Sequence, residues 1–289
     1  YVNRKDRPRQ PFMRTSTSAN NTVLEILSPE DAVAEIGRSL GPALAQGRVI
    51  GIGSPRASVE ANYALRDLVG AANFYCGIGE AELAHIRLVL SIMRSTSAHT
   101  PALREMEKAD AVFILGEDVT QTAPRIALAL RQAVKTVAVA MATDLKIPDW
   151  QIAAVQHIGQ REQSPLFIAS YTATRLDDVA EHTTNGAADD LARLGFAVAH
   201  AIDSDAPAVP GLTAEYSELA QRIAQALLGA EKPLVVSGTG AASEAILHAA
   251  ANIARALSNK GKSPSLALCV PEVNSLGVAM LQADSVEAA

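Results

Sequence analysis

The chain has 289 residues, 48% hydrophobic and 19% charged, with aromatics at only 4%, a formal net charge of -6 and a pI near 5.6. The length leaves room for about two domains of roughly 150 residues each with substantial cores. The acidic balance argues against a nucleic-acid partner, because phosphates are gripped by clustered lysine and arginine. No apolar run approaches the roughly 18 residues needed to cross a bilayer, and no signal-peptide pattern is read at the start. The sequence opens on Tyr1 and closes on Val286-Glu287-Ala288-Ala289; it is expected to be an internal piece of a longer cytoplasmic protein.

In chain order, the first seventeen residues carry four arginines, one lysine and two prolines and are expected to run extended over a surface. Val23 to Leu27 reads as a strand. Ser28, Pro29 and Asp31 then open a helix reaching about Ala45. Arg48 to Gly53 reads as a strand ending in glycine, followed by a helix with Ala61, Leu65, Leu68 and Val69 on one face and a glycine stop at Gly70. A helix is expected near Glu80 to Met93.

The next unit, ADAVFILGEDVTQTAPRIALALRQAVK at Ala109 to Lys135, holds a strand, a turn and a helix. Ala111 to Leu115 is a run of strand formers broken by Gly116. Thr122 is placed to cap the following helix, Pro124 suits its first turn, and Ile126, Leu130, Ala133 and Val134 share a face. Such a unit is half of a βαβ, and in a doubly wound sheet the loop Glu117 to Gln121 would lie at the carboxyl edge, where these folds bind ligands.

Leu166 to Ser170 is another strand, and Thr172 to Asp189 is polar and weakly patterned. Asp203 to Gly211 reads as a connector, Tyr216 to Leu228 as a helix and Leu234 to Gly238 as a strand. A helix with Ile246, Ala250, Ile253, Ala254 and Leu257 on one stripe follows, then a last strand at Leu266 to Val270. Strands alternating with helices imply parallel sheets covered on both faces, hence an α/β fold with doubly wound, mostly parallel sheets.

Two loops resemble nucleotide cradles: Gly51 and Gly53 with Ser54, Pro55 and Arg56, and Gly238 with Gly240. A glycine approach to a helix amino terminus attracts phosphate. Neither loop has the third glycine of GxGxxG or an acid about 20 residues on, so these glycines are expected to serve tight strand-to-helix turns. Arg56 could grip a phosphate beside Ser54 or simply pair with a carboxylate. Glu117 and Asp118 follow a strand, where a ribose-binding or catalytic role stands beside the plainer one of complementing a helix amino terminus.

Cys76 and Cys269 are isolated, with no CxxC, while an iron-sulfur cluster needs about four thiolates. The six histidines, His85, His99, His157, His182, His200 and His248, lack zinc spacing. No metal site and no cofactor site is expected here, and the cysteines are read as buried small hydrophobes. There is no GxSxG elbow and no HExxH. The pairs Asp177-Asp178 and Asp189-Asp190 are expected to face water, and no catalytic residue is nominated.

Several long strings carry a resemblance: GIGSPRASVEANYALRDLVGAANFY at Gly51 to Tyr75, GEDVTQTAPR at Gly116 to Arg125 and DWQIAAVQHIGQR at Asp149 to Arg161. Together they resemble the G subunits of bacterial respiratory complex I, the NADH-quinone oxidoreductase. DRPRQPFMR at Asp6 to Arg14 is similar to the segment after the iron-sulfur subdomain of molybdopterin oxidoreductases.

The resemblance implies two Rossmann-like domains, one inserted in the other, like domains II and III of those oxidoreductases. The expected division is a connector over residues 1–27, a discontinuous domain of 28–93 plus 211–289, and an inserted domain of 94–210. It also implies a parent subunit that relays electrons toward quinone through 4Fe-4S and 2Fe-2S clusters held upstream. The partners would be other peripheral-arm subunits, at the cytoplasmic face of the inner membrane, with membrane contact only indirect. Active molybdopterin enzymes tend to read G-x-N-P where this chain has Gly116, Glu117, Asp118 and Val119. Acids beside cofactor phosphates are unfavourable, so a vestigial cleft at Gly53, Ser54, Arg56, Gly116, Glu117, Asp118, Gly238 and Gly240 is expected. Asn274, Ser275 and Gly277 resemble a relic of a cofactor-facing turn. The rivals are an active molybdopterin guanine dinucleotide-binding oxidoreductase domain and a nucleotide-binding module.

Overall fold

The computed structural model describes residues 4–18, 21–160 and 162–289. Residues 1–3, 19 and 20 of the expected connector, and Arg161 at the end of the third string above, lie outside the described residues. The fold is α/β with parallel sheets, as the alternation of strand and helix patterns implies.

The connector is not simply extended: β1 (Phe12–Ser18) and β2 (Asn21–Ile26) pair antiparallel, their backbone groups exchanging ladder hydrogen bonds. Helix α1 (Pro29–Ala45) starts as expected at Ser28, whose Oγ accepts the Asp31 N–H at 3.1 Å. A small parallel pair follows, β3 (Gly51–Ile52) and β4 (Phe74–Tyr75), joined by α2 (Val59–Val69), which stops at Gly70 with φ of 84°. Of the strand expected over Arg48 to Gly53, only two residues pair. Helix α3 (Glu80–Ser95) then leads into the large sheet, and α4 (Leu103–Met106) is a single turn.

The large sheet has five parallel strands in the order β7-β6-β5-β8-β9. They are β5 (Ala111–Leu115), β6 (Leu166–Ser170), β7 (His182–Asn185), β8 (Pro233–Gly238) and β9 (Ser265–Cys269). Helices α5 (Val119–Thr122), α6 (Pro124–Ala133), α7 (Thr136–Asp144) and α8 (Ile152–Gly159) link β5 to β6. Helices α9 (Ala188–Ile202) and α10 (Ala214–Gly229) link β7 to β8, α11 (Glu244–Asn259) links β8 to β9, and α12 (Ser275–Ala279) follows the sheet.

Strand periodicity explains the layering. Val112, Ile114, Leu166, Ile168, Leu234 and Val236 pack on one face under α6, while Phe113, Leu115, Phe167, Ala169 and Val235 pack on the other beneath α9, α10 and α11. With both faces covered, the strands read as continuous apolar runs rather than alternating ones. Among the described residues no single helix is long and apolar enough to cross a membrane.

This sheet corrects the expected division of the chain. Val112 lies beside Leu234 in the β5-β8 ladder, so the strands of 233–269 complete the sheet of 94–210 rather than joining residues 28–93. The reason is burial: all six residues of β8 are buried, which only a central strand permits. The chain returns to the small sheet near Pro271 instead of Gly211. There Asn274 N–H donates to Pro55 O at 2.9 Å and Cys76 N–H to Asp284 O at 2.9 Å. Val278, Ala279 and Ala283 join Val69, Phe74, Cys76, Leu83 and Ile86 in a second core. Helix α3 serves both cores, since Val89 and Ile92 lie in the large one.

Candidate functional site

In the large sheet the chain moves outward from β5 through β6 and β7, then returns to add β8 and β9 on the other side. The reversal falls between β5 and β8, and a crevice at their carboxyl ends is where an open α/β sheet takes its ligand. The residues there are Gly116, Glu117 and Asp118 after β5 and Gly238, Thr239 and Gly240 at the end of β8.

Glu117 fills that crevice. Gly116 has φ of 72°, and a Cβ there would come within 2.6 Å of Ile246 Cγ2, so only glycine makes this turn without strain. The turn sends the Glu117 side chain across the sheet end, where it is 1% exposed. Its Oε2 accepts the Gly240 N–H at 2.9 Å and its Oε1 accepts the Thr122 hydroxyl at 2.8 Å. A Cβ on Gly240 would sit 2.6 Å from Glu117 Oε1, and one on Gly238 would overlap Glu117 Oε2 and come within 2.7 Å of Cys269 O. The glycines that suggested a phosphate cradle are therefore glycines because a carboxylate of the same chain occupies the space. A cavity of about 100 Å³ lined by Glu117, Thr122, Thr239, Gly240, Cys269 and Pro271 remains beside it, well below the several hundred Å³ typical of a small-molecule site.

The electrostatics follow from burial. Desolvation raises the Glu117 pKa, the neighbouring Asp118 charge pushes the same way, and the bonds from Gly240 and Thr122 oppose it. Burial and the Glu117 field push the Cys269 thiol up to about 12, far from a reactive thiolate. Burial, then Glu117 and Asp118, also raise the Tyr171 phenol. Asp118 serves the local backbone, since its Oδ1 accepts the Thr120 N–H at 3.0 Å and caps α5. Thr122, expected to cap a helix, instead ends α5, and α6 starts at Pro124. At the end of β6 the Ser170 hydroxyl is buried without a hydrogen-bond partner among the described residues.

Gly53, Ser54 and Arg56 lie elsewhere, on the small sheet, and no hydrogen bond among the described residues joins them to Glu117. A Cβ on Gly53 would meet Asn62 Oδ1 at 2.5 Å and Phe74 Cζ at 2.9 Å. Buried Asn62 closes this loop: its Oδ1 accepts Ser54 N–H at 2.8 Å, and its Nδ2 donates to Ser54 O and Ser58 O, both at 2.9 Å. Ser54 Oγ accepts the Arg56 N–H at 3.2 Å, and exposed Arg56 faces Glu272 at 3.7 Å. Asn274 Nδ2 donates to Ala57 O at 2.9 Å, so the turn at Asn274, Ser275 and Gly277 braces the same loop. The loop's polar groups are met from within the chain.

Of the acidic pairs, Asp178 is bound by Arg131 at 2.7 Å and Asp177 caps the turn at Thr174, while Asp189 and Asp190 occupy the first turn of α9. Cys76 and Cys269 are both buried and free. Among the described residues no group of three or more His, Cys, Asp and Glu side chains is arranged to hold a metal ion. Sequence reading missed Asn62 and the bond from Thr122. A signal existed for Asn62, since it stands three residues before Leu65 and seven before Val69 on a buried helical stripe.

No protein-family model matches the chain. Over all its 289 residues it is 54% identical to the NADH-quinone oxidoreductase G subunit of Pseudomonas fluorescens and 49% identical to that of Escherichia coli K12. It is 48% identical over 287 residues to the same subunit from Salmonella typhimurium. The chain spans 31% of the length of each of these relatives. Among solved structures, acetylene hydratase from Pelobacter acetylenicus aligns with 97% of this chain and 36% of its own at 13% identity, with a TM-score of 0.46. The formyltransferase/hydrolase complex from Methylorubrum extorquens aligns with 81% and 57% at 15% identity, with a TM-score of 0.49. Likenesses this distant carry no argument about the site.

Proposed function

We propose that this chain acts as the corresponding part of the G subunit of NADH-quinone oxidoreductase, a non-catalytic scaffold. It supports electron transfer from NADH to quinone through 4Fe-4S and 2Fe-2S clusters held elsewhere in the parent polypeptide. Its setting is the cytoplasmic face of the bacterial inner membrane, among other peripheral-arm subunits, with the bilayer reached only through them. Identity of 48–54% over essentially the whole chain supports the assignment.

The single observation behind the scaffold role is the Glu117 carboxylate lodged on Gly240 N–H at the switch point. A phosphate directed at that N–H meets a buried acid instead, and anion repulsion at short range in a weakly solvated site is severe. The residues present do not fit the phosphates of a guanine dinucleotide cofactor there. This speaks against both the active molybdopterin oxidoreductase and the nucleotide-binding readings.

The test uses the parent complex carrying Glu117→Ala, Asp118→Ala or Arg56→Ala. A scaffold predicts less assembled complex and unchanged NADH-to-quinone turnover per assembled complex. Reduced turnover at unchanged assembly would refute it. Thermal shift with NAD or ATP supplies a second check, since a ligand at 100 times its dissociation constant adds about 2.7 kcal/mol; no shift is expected. Molybdenum in the purified parent complex would revive the cofactor reading.

A further inference from the structure

We propose that the cavity enclosed by α9, α11 and the connector between α9 and α10 is a binding site for a small carboxylate with an apolar body, of the aryl or branched-chain acid class. The site lies at the amino-terminal edge of the large sheet, opposite the Glu117 crevice, because α11 runs back from the end of β8 at Gly238 to Asn259 before β9 begins at Ser265. From there the connector climbs along α9. His200 Nδ1 donates to Ala206 O at 2.7 Å near the end of that helix. Two turns earlier, Arg193 donates to Pro210 O at 2.6 Å and to Gly211 O at 2.9 Å. Tied at these points, the connector spans the gap between the two helices without filling it.

Helical spacing makes the walls. Phe196, Ala199 and Asp203 fall at i, i+3 and i+7 on α9 and its cap. Asn252, Arg255, Ala256 and Asn259 fall at i, i+3, i+4 and i+7 on α11, so each helix turns one stripe toward the gap. The floor is apolar and small: Ala199 and Ala256 are 1% and 3% exposed and belong to the large core, against which Phe196 also packs. Alanine at these positions leaves about 330 Å³ open, within the range of small-molecule sites. At the roughly 30 Å³ that a water occupies in the liquid, the space suits a ligand of about ten non-hydrogen atoms.

The polar groups select the head. The acid at the far end is already met, since Asp203 Oδ1 takes Lys260 Nζ and its Oδ2 takes Asn259 Nδ2, both at 2.9 Å. Exposed Asp205 lies in the field of the same lysine. The donors are not met. Arg255, exposed at the rim, and half-buried Asn252 one turn before it make no hydrogen bond or ion pair among the described residues. The Ala208 and Val209 N–H groups of the connector are likewise without an acceptor among the described residues. One unpaired guanidinium beside an amide matches one planar carboxylate, and the alanine floor matches a hydrocarbon body. A dianionic phosphate would bring a second charge toward Asp203 and Asp205 with no second cation to meet it, because Lys260 is engaged. The site rests on these residues alone and does not depend on the assignment proposed above.

The test titrates phenylacetate into the native polypeptide together with any subunits that co-purify with it. Saturation-transfer-difference NMR reads binding, and amide exchange of the 203–211 peptide reads its place. Saturable binding with a dissociation constant of about 1 mM or below is expected for a ligand of this size, with exchange slowed across 203–211. Arg255→Met breaks no internal bond and is expected to weaken binding about tenfold, the scale of one charge-assisted hydrogen bond. Phenylacetamide, alike in shape but uncharged, should bind the parent protein about as weakly as phenylacetate binds that variant. Ala256→Leu, whose side chain occupies the floor, is expected to abolish binding. The proposal is overturned by no saturable binding, by binding that both variants leave unchanged, by exchange slowed only elsewhere, or by inorganic phosphate protecting 203–211 as well as phenylacetate does.

Discussion

Replacing Glu117 separates the two things its carboxylate does, which are to satisfy the Gly240 N–H and to carry a buried charge. In Glu117→Ala the Gly240 N–H loses its acceptor, whereas Thr122 keeps Asp118 O at 3.1 Å. One buried donor left unmet costs about 1–3 kcal/mol, and water entering the enlarged cavity holds the loss toward the low end. In Glu117→Gln the amide oxygen keeps the Gly240 bond and the amide nitrogen donates to Thr122 Oγ1, whose own hydrogen turns to Asp118 O. The Gly240 and Thr122 groups keep their partners, the second amide N–H is left to water in the adjoining cavity of about 100 Å³, and the buried charge is gone, so this variant is expected to be more stable than the Ala variant at pH 7.

The pH dependence has a definite sign. Burial raises the folded pKa of Glu117 above its ordinary value of 4.5, so the unfolded chain releases this proton first. The associated stability is fully present below about pH 4.5 and is lost as pH rises through the elevated folded value. Urea midpoints followed by circular dichroism from pH 4 to 8 test this as the difference between parent and Gln variant, in which other titrations largely cancel. The parent should lose ground to the variant as pH rises. Parallel pH profiles, or a Gln variant at pH 7 as weak as the Ala variant, would refute the account.

Gly238→Ala brings a Cβ within 2.7 Å of the Cys269 carbonyl, backbone that cannot swing away; a loss of about 1–3 kcal/mol in chemical denaturation is expected. In Gly240→Ala the three atoms nearest the new Cβ all belong to the Glu117 carboxylate, a side chain rather than backbone, so its smaller loss should be partly relieved in the double variant with Glu117→Ala, and strict additivity in that cycle would contradict the contact. Asn62→Asp keeps the acceptor for Ser54 N–H but loses both donated bonds, and is expected to lower the thermal midpoint and expose the Ser54 to Ser58 loop to protease. Asp203 is held down to about 2, first by the Asn259 amide and then by Lys260 at 2.9 Å. Its contribution is present above its ordinary 3.8 and fades as pH falls toward 2, so Asp203→Asn should flatten the acid limb of the stability profile between those values.

What could be read from the sequence was whatever burial writes into local pattern. Leu166 to Ser170 shows as a strand because both faces are covered, and α1 is announced by Ser28 and Pro29 before any tertiary contact matters. β7, reading His-Thr-Thr-Asn, escaped because an edge strand held by one neighbour needs no apolar run. The domain division failed for a related reason. Pairing of β5 with β8 joins residues more than a hundred positions apart, and no local spacing encodes which of two apolar strands becomes the neighbour.

The site carries the same lesson in sharper form. Gly238 and Gly240 follow a strand and precede a helix, a pattern that serves equally for a cradle around a phosphate and for a pocket closed by a neighbour's side chain. The deciding residue is Glu117, brought alongside by the reversal of strand order, and its meaning depends on which strand β8 pairs with. Beside an empty crevice an acid at that position would repel an anionic cofactor. Folded onto Gly240 N–H with Thr122 behind it, the acid takes the place of the anion. The motif is thus fully satisfied within one chain, and the energetic demand that a glycine-rich turn usually makes on a ligand has been turned into a contact between β5 and β8 that holds the centre of the sheet.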